Sequence, residues 1–359
     1  MEAEDIELGI EALKAGCADV LGDVMRLTAN AVRGCIVAPP DKKLAVADLS
    51  NIEGRGLAYL AGERWKLKAF MDYDTILGYD AKGKAVRAGP DLYILAYARA
   101  FNVSEAEAKR QIGKVMELGL GYGGGVAAFI TFAAVYNMDL DELADAVHTS
   151  APTEWIEKAT EMLAWFKKRR RSTLGLSDYI WVACEALVLM WRNAHPNTAA
   201  LWAAAEDAVT KAIERPGETF SIGEHLRARV DGAWLRIRLP SGRYLCYTQP
   251  QVANDGQISY MGVDQYTRQW KRVKTYGGKL VENCTQAFAR DIMAHNMPAI
   301  ERAGYEIVLS VHDELLTETP DTDEFTAEGL SALLAAVPHW AEGIPLAAAG
   351  FEAYRYRKD

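Results

Sequence analysis

Ile307-Val308-Leu309-Ser310-Val311-His312-Asp313-Glu314-Leu315-Leu316 is the stretch on which the reading of this chain turns. The mostly β-branched or apolar residues before His312 predict a buried strand. Two adjacent carboxylates follow His312, and Leu315-Leu316 resume the apolar run. The pattern is a hairpin with acids at its tip. Neighbouring carboxylates repel each other and lose hydration unless a cation lies near, so a divalent metal site is one reading. An exposed acidic turn between two edge strands is the other.

Outside this hairpin, the 359 residues leave room for two or three structural units, with half the residues apolar and a quarter charged. No run of about 18 apolar residues occurs, so no membrane span is expected. The start, Met1-Glu2-Ala3-Glu4-Asp5, lacks the basic-then-apolar order of a signal peptide, and a cytoplasmic protein is expected. Cys17, Cys35, Cys184, Cys246 and Cys284 are scattered without CxxC spacing and read as reduced core residues. The net charge of −9 argues against a uniformly phosphate-binding surface. Basic residues nevertheless cluster at Lys109-Arg110, at Lys167 to Arg171 and at Arg268 to Lys274, which leaves a local nucleic-acid groove open.

In chain order, residues 6–30 have helical periodicity, and Cys35 to Ala38 read as a short strand. Lys43 to Leu49 form a second strand candidate closed by Asp48, with Ser50-Asn51 offering cap chemistry to a helix from Ile52 to Leu60. Residues 64–106 read as helices with loops, broken by a Gly/Lys-rich stretch at 78–89. Ser104-Glu105-Ala106-Glu107 is a capping-box-like start for a long helix. On it Arg110, Lys114, Leu118 and Tyr122 recur every fourth residue and so share a face. A ligand with phosphates and a flat ring would want all four; an amphipathic helix ending in a glycine cap is the plainer reading. The glycines at 119, 121 and 123–125 suggest close approach of something to that backbone. Residues 126–215 read as helical, 230–247 as a hairpin about Leu239-Pro240-Ser241-Gly242, and 255–275 as polar and irregular. A helix from Lys279 to Met297, one from Thr326 to Val337 and a strand from Pro345 to Arg357 complete the chain. Strands at both ends and helices between suggest a sheet domain interrupted by a helical insertion, with Asp48 and Asp313 brought together across it.

Three segments now resemble one family. Asp48-Leu49-Ser50-Asn51-Ile52-Glu53-Gly54-Arg55 is similar to the first catalytic motif of family A DNA polymerases, the group of bacterial DNA polymerase I. Arg110, Lys114, Leu118-Gly119 and Tyr122-Gly123 resemble the fingers-helix motif, and Val311-His312-Asp313-Glu314 the last catalytic motif. Asn283-Cys284-Thr285-Gln286 with Asp291-Ile292 look like the palm helix that touches the primer–template minor groove. Asp91-Leu92-Tyr93 and Tyr276-Gly277-Gly278-Lys279 look more like phage-encoded members than cellular ones.

The resemblance implies an α+β fold: a palm with an antiparallel sheet at 1–64 and 229–359, and inserted, mostly helical fingers at 65–228. The thumb, the exonuclease domain and the Thr-Gly-Arg segment would precede residue 1. It therefore implies a part of a longer polymerase or one half of a split enzyme whose partner polypeptide carries the rest. The implied activity is template-directed DNA synthesis in DNA replication, in an infected or bacterial cell, on primer–template DNA with dNTPs.

The implied chemistry uses two Mg2+ ions, which prefer carboxylate oxygen and stand roughly 3.5–4 Å apart in such sites. Asp48 and Asp313 are the implied ligands, with the Leu49 carbonyl assisting and Glu314 nearby. His312 would contact the primer end; a packed hairpin histidine is its other reading. Arg110 and Lys114 would hold the triphosphate, with Lys114 also the acid for the leaving pyrophosphate. Tyr122 would stack at the nascent pair, and Glu53, supported by Ile52, would exclude a ribose 2′-hydroxyl. Gln286 would donate to minor-groove acceptors shared by all base pairs, beside Asn283. Arg33 and Lys279 would touch DNA. Leu118 stands where the family usually has an aromatic residue, which implies a looser sugar pocket, and Lys279 where arginine is common.

Three alternatives remain. A single-subunit RNA polymerase would need the space Glu53 occupies. A two-metal nuclease would explain the carboxylates but not the Arg110, Lys114 and Tyr122 face. A DNA-binding polymerase-like subunit would depend on a partner for activity.

Overall fold

The computed structural model describes residues 3–357. The first third holds α1 (Ala3–Lys14), α2 (Val24–Gly34), β1 (Lys42–Leu49), α3 (Ile52–Ala61), α4 (Arg64–Asp74), β2 (Ile76–Tyr79), β3 (Ala85–Arg87) and α5 (Leu92–Phe101). Helices α6 (Arg110–Leu120), α7 (Val126–Val135), α8 (Leu140–Ser150), α9 (Thr153–Lys168), α10 (Asp178–Ala194) and α11 (Pro196–Glu214) follow. Then come β4 (Thr219–Ile222), β5 (Leu226–Asp231), β6 (Trp234–Arg238), β7 (Tyr244–Val252), β8 (Ile258–Val263) and β9 (Trp270–Thr275). The chain closes with α12 (Gly277–Arg302), β10 (Glu306–Val311), β11 (Glu314–Pro320), α13 (Ala327–Leu334) and β12 (Ala348–Ala353). The class is α+β with antiparallel sheets, as expected. No described helix is long and apolar enough to cross a membrane.

Two compact units divide the chain. One is built from both of its ends: the segment up to Ile52, Ala289–Glu342 and the segment from Leu346. The other is Glu53–Phe288 with Gly343–Pro345.

The first unit is organised on a four-stranded sheet in the order β10-β11-β1-β12. Strand β1 is central, and Leu44, Ala45, Val46 and Ala47 are all buried, as a strand covered on both faces requires. Leu44 and Val46 pack with Leu316 and Tyr356. Thr326 caps α13 by accepting from the Gly329 amide, and Asn296 of α12 ties in the chain after α13 through the carbonyls of Leu334 and Ala336.

The second unit has a helical core around α10, where Trp181 and Trp191 are buried among Val115, Met116, Leu120 and Phe129. Asp91, Asp139 and Ser177 supply side-chain caps to α5, α8 and α10. A six-stranded antiparallel meander, β4 to β9 in order, forms its second layer.

Several expectations are corrected. Residues 255–275 are not irregular but form the β8–β9 hairpin. Strand β9 is exposed along most of its length, so neither face imposed an apolar alternation on the sequence. The break at 78–89 overlaps a second exposed hairpin, β2–β3, for the same reason. Strand β10 is an edge strand with Val308 and Leu309 exposed, not a buried one; the buried arm of the hairpin is β11. The capping box at Ser104 closes a 3-10 turn, and α6 starts only at Arg110. Residues 6–30 hold two helices, since Gly16 and Gly22 take positive φ between them. The five cysteines are unpaired, but Cys17, Cys35 and Cys246 are exposed rather than in the core.

Candidate active site

The carboxylates meet in the first unit. Strands β10 and β11 pair Val311 with Glu314, leaving His312-Asp313 as a two-residue loop. His312 takes φ 55 there, a left-handed corner that a non-glycine residue adopts at a cost on the order of 1 kcal/mol. The β1–β11 register sets Asp48 opposite Glu314, and the Leu49 amide donates to the Asp313 carbonyl at 3.1 Å. Two chain segments far apart in sequence thus bring Asp48, Asp313 and Glu314 to one sheet end. Burial, then the negative charges of Asp313 and Glu314, push the half-buried Asp48 carboxyl up to about 6. Glu314 accepts a hydrogen bond from the Tyr356 hydroxyl, and the Arg33 guanidinium lies 5.4 Å from the centre of the Tyr356 ring. Arg33 therefore supports the cluster from behind the tyrosine.

Among the described residues no group of three or more His, Cys, Asp or Glu is arranged to hold a metal ion. The donor set at Asp48 and Asp313 still suits a hard cation. It is all carboxylate oxygen, and the raised Asp48 carboxyl shows that its charge is poorly compensated by the protein itself.

The expected nucleotide-binding residues belong to the second unit, apart from Ile52, which is buried in the first turn of α3. Arg110 is exposed at the start of α6, pairs with Asp91 at 2.9 Å, and lies 5.1 Å from the centre of the Tyr93 ring. The Lys114 ammonium sits 4.4 Å from the centre of the Tyr136 ring, and Leu118 is exposed. Tyr122 does not share that helix, because α6 ends at Leu120. Its hydroxyl donates to Glu53 at 3.5 Å, and burial, then Glu53, push the phenol far up. The glycine run is approached by protein rather than by an open space. Gly123 takes φ 79, the Tyr276 hydroxyl donates to the Tyr122 carbonyl at 3.3 Å, and a Cβ at Gly278 would lie 2.2 Å from that same oxygen.

On α12, Gln286 is exposed, Asn283 donates to the Tyr247 hydroxyl at 3.0 Å, and Lys279 pairs with Glu282 at 2.8 Å. Of the residues expected to touch DNA, His312 and Gln286 are exposed, while Lys279 and Asn283 are engaged with neighbours.

Sequence reading missed Glu117. Its carboxylate accepts from Lys66 and from the Trp191 indole at 2.8 Å, and His195 Nε2 lies 2.9 Å from it. Burial alone would raise this carboxyl; the Lys66 ammonium and the His195 imidazole hold it well below the usual carboxylate range. The network ties α6 to α4 and α10, and so fixes the helix that carries Arg110 and Lys114. The available signal was phase: Glu117 follows Gly113 by four residues and precedes Leu120 by three, both on the buried stripe. Arg55, which closes the first motif and was given no role there, is buried and pairs with Asp74 through two hydrogen bonds, at 2.5 and 2.9 Å.

No protein-family model matches the chain. A search of curated proteins finds a relative 29% identical over 365 residues, covering 99% of this chain and 48% of the relative. The chain is similar to a DNA polymerase of Bacillus phage SP02. The resemblance read from the motifs is thus met over nearly the whole chain, and with a phage protein. The chain spans about half the length of that relative. Among solved structures, the POL domain of Pol1 from M. smegmatis, in complex with DNA primer-template and dNTP, matches 91% of this chain and 42% of its own. That match has a TM-score of 0.49 and 17% identity.

Proposed function

We propose that the chain carries the catalytic part of a template-directed DNA polymerase, adding deoxynucleotides to a primer 3′-hydroxyl by two-metal nucleotidyl transfer. The observation that carries this reading is the shared sheet end of Asp48 and Asp313, drawn from opposite ends of the sequence. The similarity to a phage DNA polymerase supports it independently.

Asp48 and Asp313 would hold two Mg2+ ions through carboxylate oxygen, assisted by the Leu49 carbonyl. When bound, the ions would supply an activated primer hydroxyl and charge neutralisation at the reacting phosphate. Glu314, held by the Tyr356 hydroxyl, would stand beside the ligands without having to be one. His312 is assigned to the primer end. Arg110 would exchange Asp91 for the triphosphate and grip it through two donors, with Lys114 as the point charge and proton donor to pyrophosphate. The Glu53 carboxylate, bonded to Tyr122, would exclude a ribose 2′-hydroxyl, and Ile52 is assigned to the same pocket. Gln286 and Asn283 are assigned to the minor groove, and Lys279 and Arg33 to DNA phosphate, each after giving up its present neighbour. Palm at 1–64 and 229–359, and fingers at 65–228, is the functional division this reading carries.

A role in replication, with a separate polypeptide supplying thumb and exonuclease, belongs to the same proposal. Primer extension tests it, by the chain alone and with the polypeptide encoded beside it. Mg2+-dependent extension is expected, lost about 1000-fold or more in Asp48→Ala and in Asp313→Ala with the unfolding midpoint little changed. Extension retained by either variant would overturn the metal assignment. Primer–template binding without extension under either condition would leave a DNA-binding subunit as the function instead.

A further inference from the structure

The six-stranded sheet of the second unit carries a charged outer face that none of the polymerase motifs uses. Strands β5 and β6 set Arg227 opposite Arg238 and Arg229 opposite Arg236. The next register puts Tyr244 opposite Arg238, and Trp234 stands opposite Asp231. Cross-strand partners share a face. The alternate residues Ala228, Val230, Leu235 and Ile237 are buried on the other side.

Two like-charged pairs, directly opposed and adjacent, destabilise a sheet. The compensation within the sheet is thin. Asp231 takes Arg229 at 2.6 Å and lies 3.8 Å from Arg236, while Arg227 donates to the main-chain carbonyls of Glu224 and Leu226 at 3.0 and 2.7 Å. These four arginines line an open cavity of about 590 Å3 in which Asp231 is the one carboxylate among the described lining residues. Trp234 and Tyr244 are 43% and 50% exposed at the same face. All this stands in a chain of net charge −9, so the concentration of positive charge is local.

We propose that this face binds single-stranded nucleic acid, its phosphates on the arginines and its bases on Trp234 and Tyr244. Guanidinium forks match phosphate oxygens, and an exposed ring stacks with any unpaired base, which a duplex or an acidic peptide cannot offer. The four-arginine surface accounts for the charge, and the flanking aromatic pair selects the unpaired strand. The proposal rests on this sheet alone and does not depend on the polymerase reading.

The test is fluorescence anisotropy of the full chain with a labelled oligothymidylate of about 20 nucleotides over a series of NaCl concentrations. The triple variant Arg229→Gln/Arg236→Gln/Arg238→Gln is expected to bind at least about 10-fold more weakly, with the log–log salt slope reduced by about 2. The corresponding triple lysine variant keeps most of the slope. Trp234→Ala/Tyr244→Ala weakens binding about 5-fold or more with the slope unchanged. Unchanged affinity and slope in a folded triple glutamine variant would overturn the site. Polyglutamate competing as well as oligothymidylate, or a duplex binding as tightly as the single strand, would overturn the nucleic-acid assignment. Failure of primer extension with these binding losses intact would count against the polymerase reading and leave this face standing.

Discussion

Asp48 and Glu117 are both carboxylates withdrawn from water, and their surroundings drive them in opposite directions. Glu117 meets an ammonium, an indole N–H and an imidazole, and stays ionised well below the usual range. Asp48 meets two more carboxylates and is pushed up to about 6. Both lose hydration; what differs is whether the fold supplies positive charge. At Glu117 the Lys66 ammonium supplies it, and the group acts as a lock between helices. At Asp48 it is withheld, and burial beside two further carboxylates leaves the carboxyl raised.

The comparison can be broken at its locked end first. Glu117→Ala leaves Lys66 buried without its partner and should destabilise the chain by about 3–5 kcal/mol in urea unfolding. The double change Lys66→Met/Glu117→Leu should recover most of that loss. Equal losses in the single and double variants would mean that the network is packing rather than charge compensation.

The open end is sharpened by pH. A carboxyl raised to about 6 in the fold favours the protonated form there, so its contribution is present below about pH 4 and lost as pH rises through 6. Asp48→Asn should therefore stabilise the metal-free chain at pH 8 by about 1–2 kcal/mol, discounted for partial exposure, with the gain fading towards pH 4. Mg2+ should stabilise the wild type more than the variant. Denaturant midpoints across pH, with and without Mg2+, read both effects, and a pH-independent difference would contradict the account.

Smaller effects concern the helix that Glu117 anchors and the loop that carries Asp313. Leu118→Phe adds an aromatic face to an exposed position and should change single-turnover incorporation and sugar selection by a few-fold, about 1 kcal/mol. Identical kinetics would remove Leu118 from the sugar pocket. His312→Gly relieves the positive φ, so stability should change by less than about 1 kcal/mol. A primer contact would show as reduced extension at that unchanged stability.

Legibility in the sequence followed the strength of the local signal. Strand β1, strand β11 and the helices α3 and α12 were readable, because burial imposed an apolar period or cap chemistry marked the boundary. The exposed hairpin β2–β3 and the largely exposed strand β9 were not, since little burial constrained their residues. Spacing grouped Arg110, Lys114 and Tyr122 on one continuous helical face, yet α6 stops before Tyr122. Glu117 escaped because a lone acid on an apolar stripe carries no sign of the cations that will meet it.

The sequence by itself determined which residue types stand where: two acidic motifs far apart in the chain, each beside a strand, and a cationic helix between them. Local propensity and side-chain period are properties of neighbouring residues, so they survive without a fold. Only the tertiary structure decided that Asp48 meets Asp313 uncompensated, that Glu117 meets Lys66, and that four arginines share one sheet face. Each of these depends on strand register or helix packing between distant segments, and charge acts through space over distances that sequence separation does not measure.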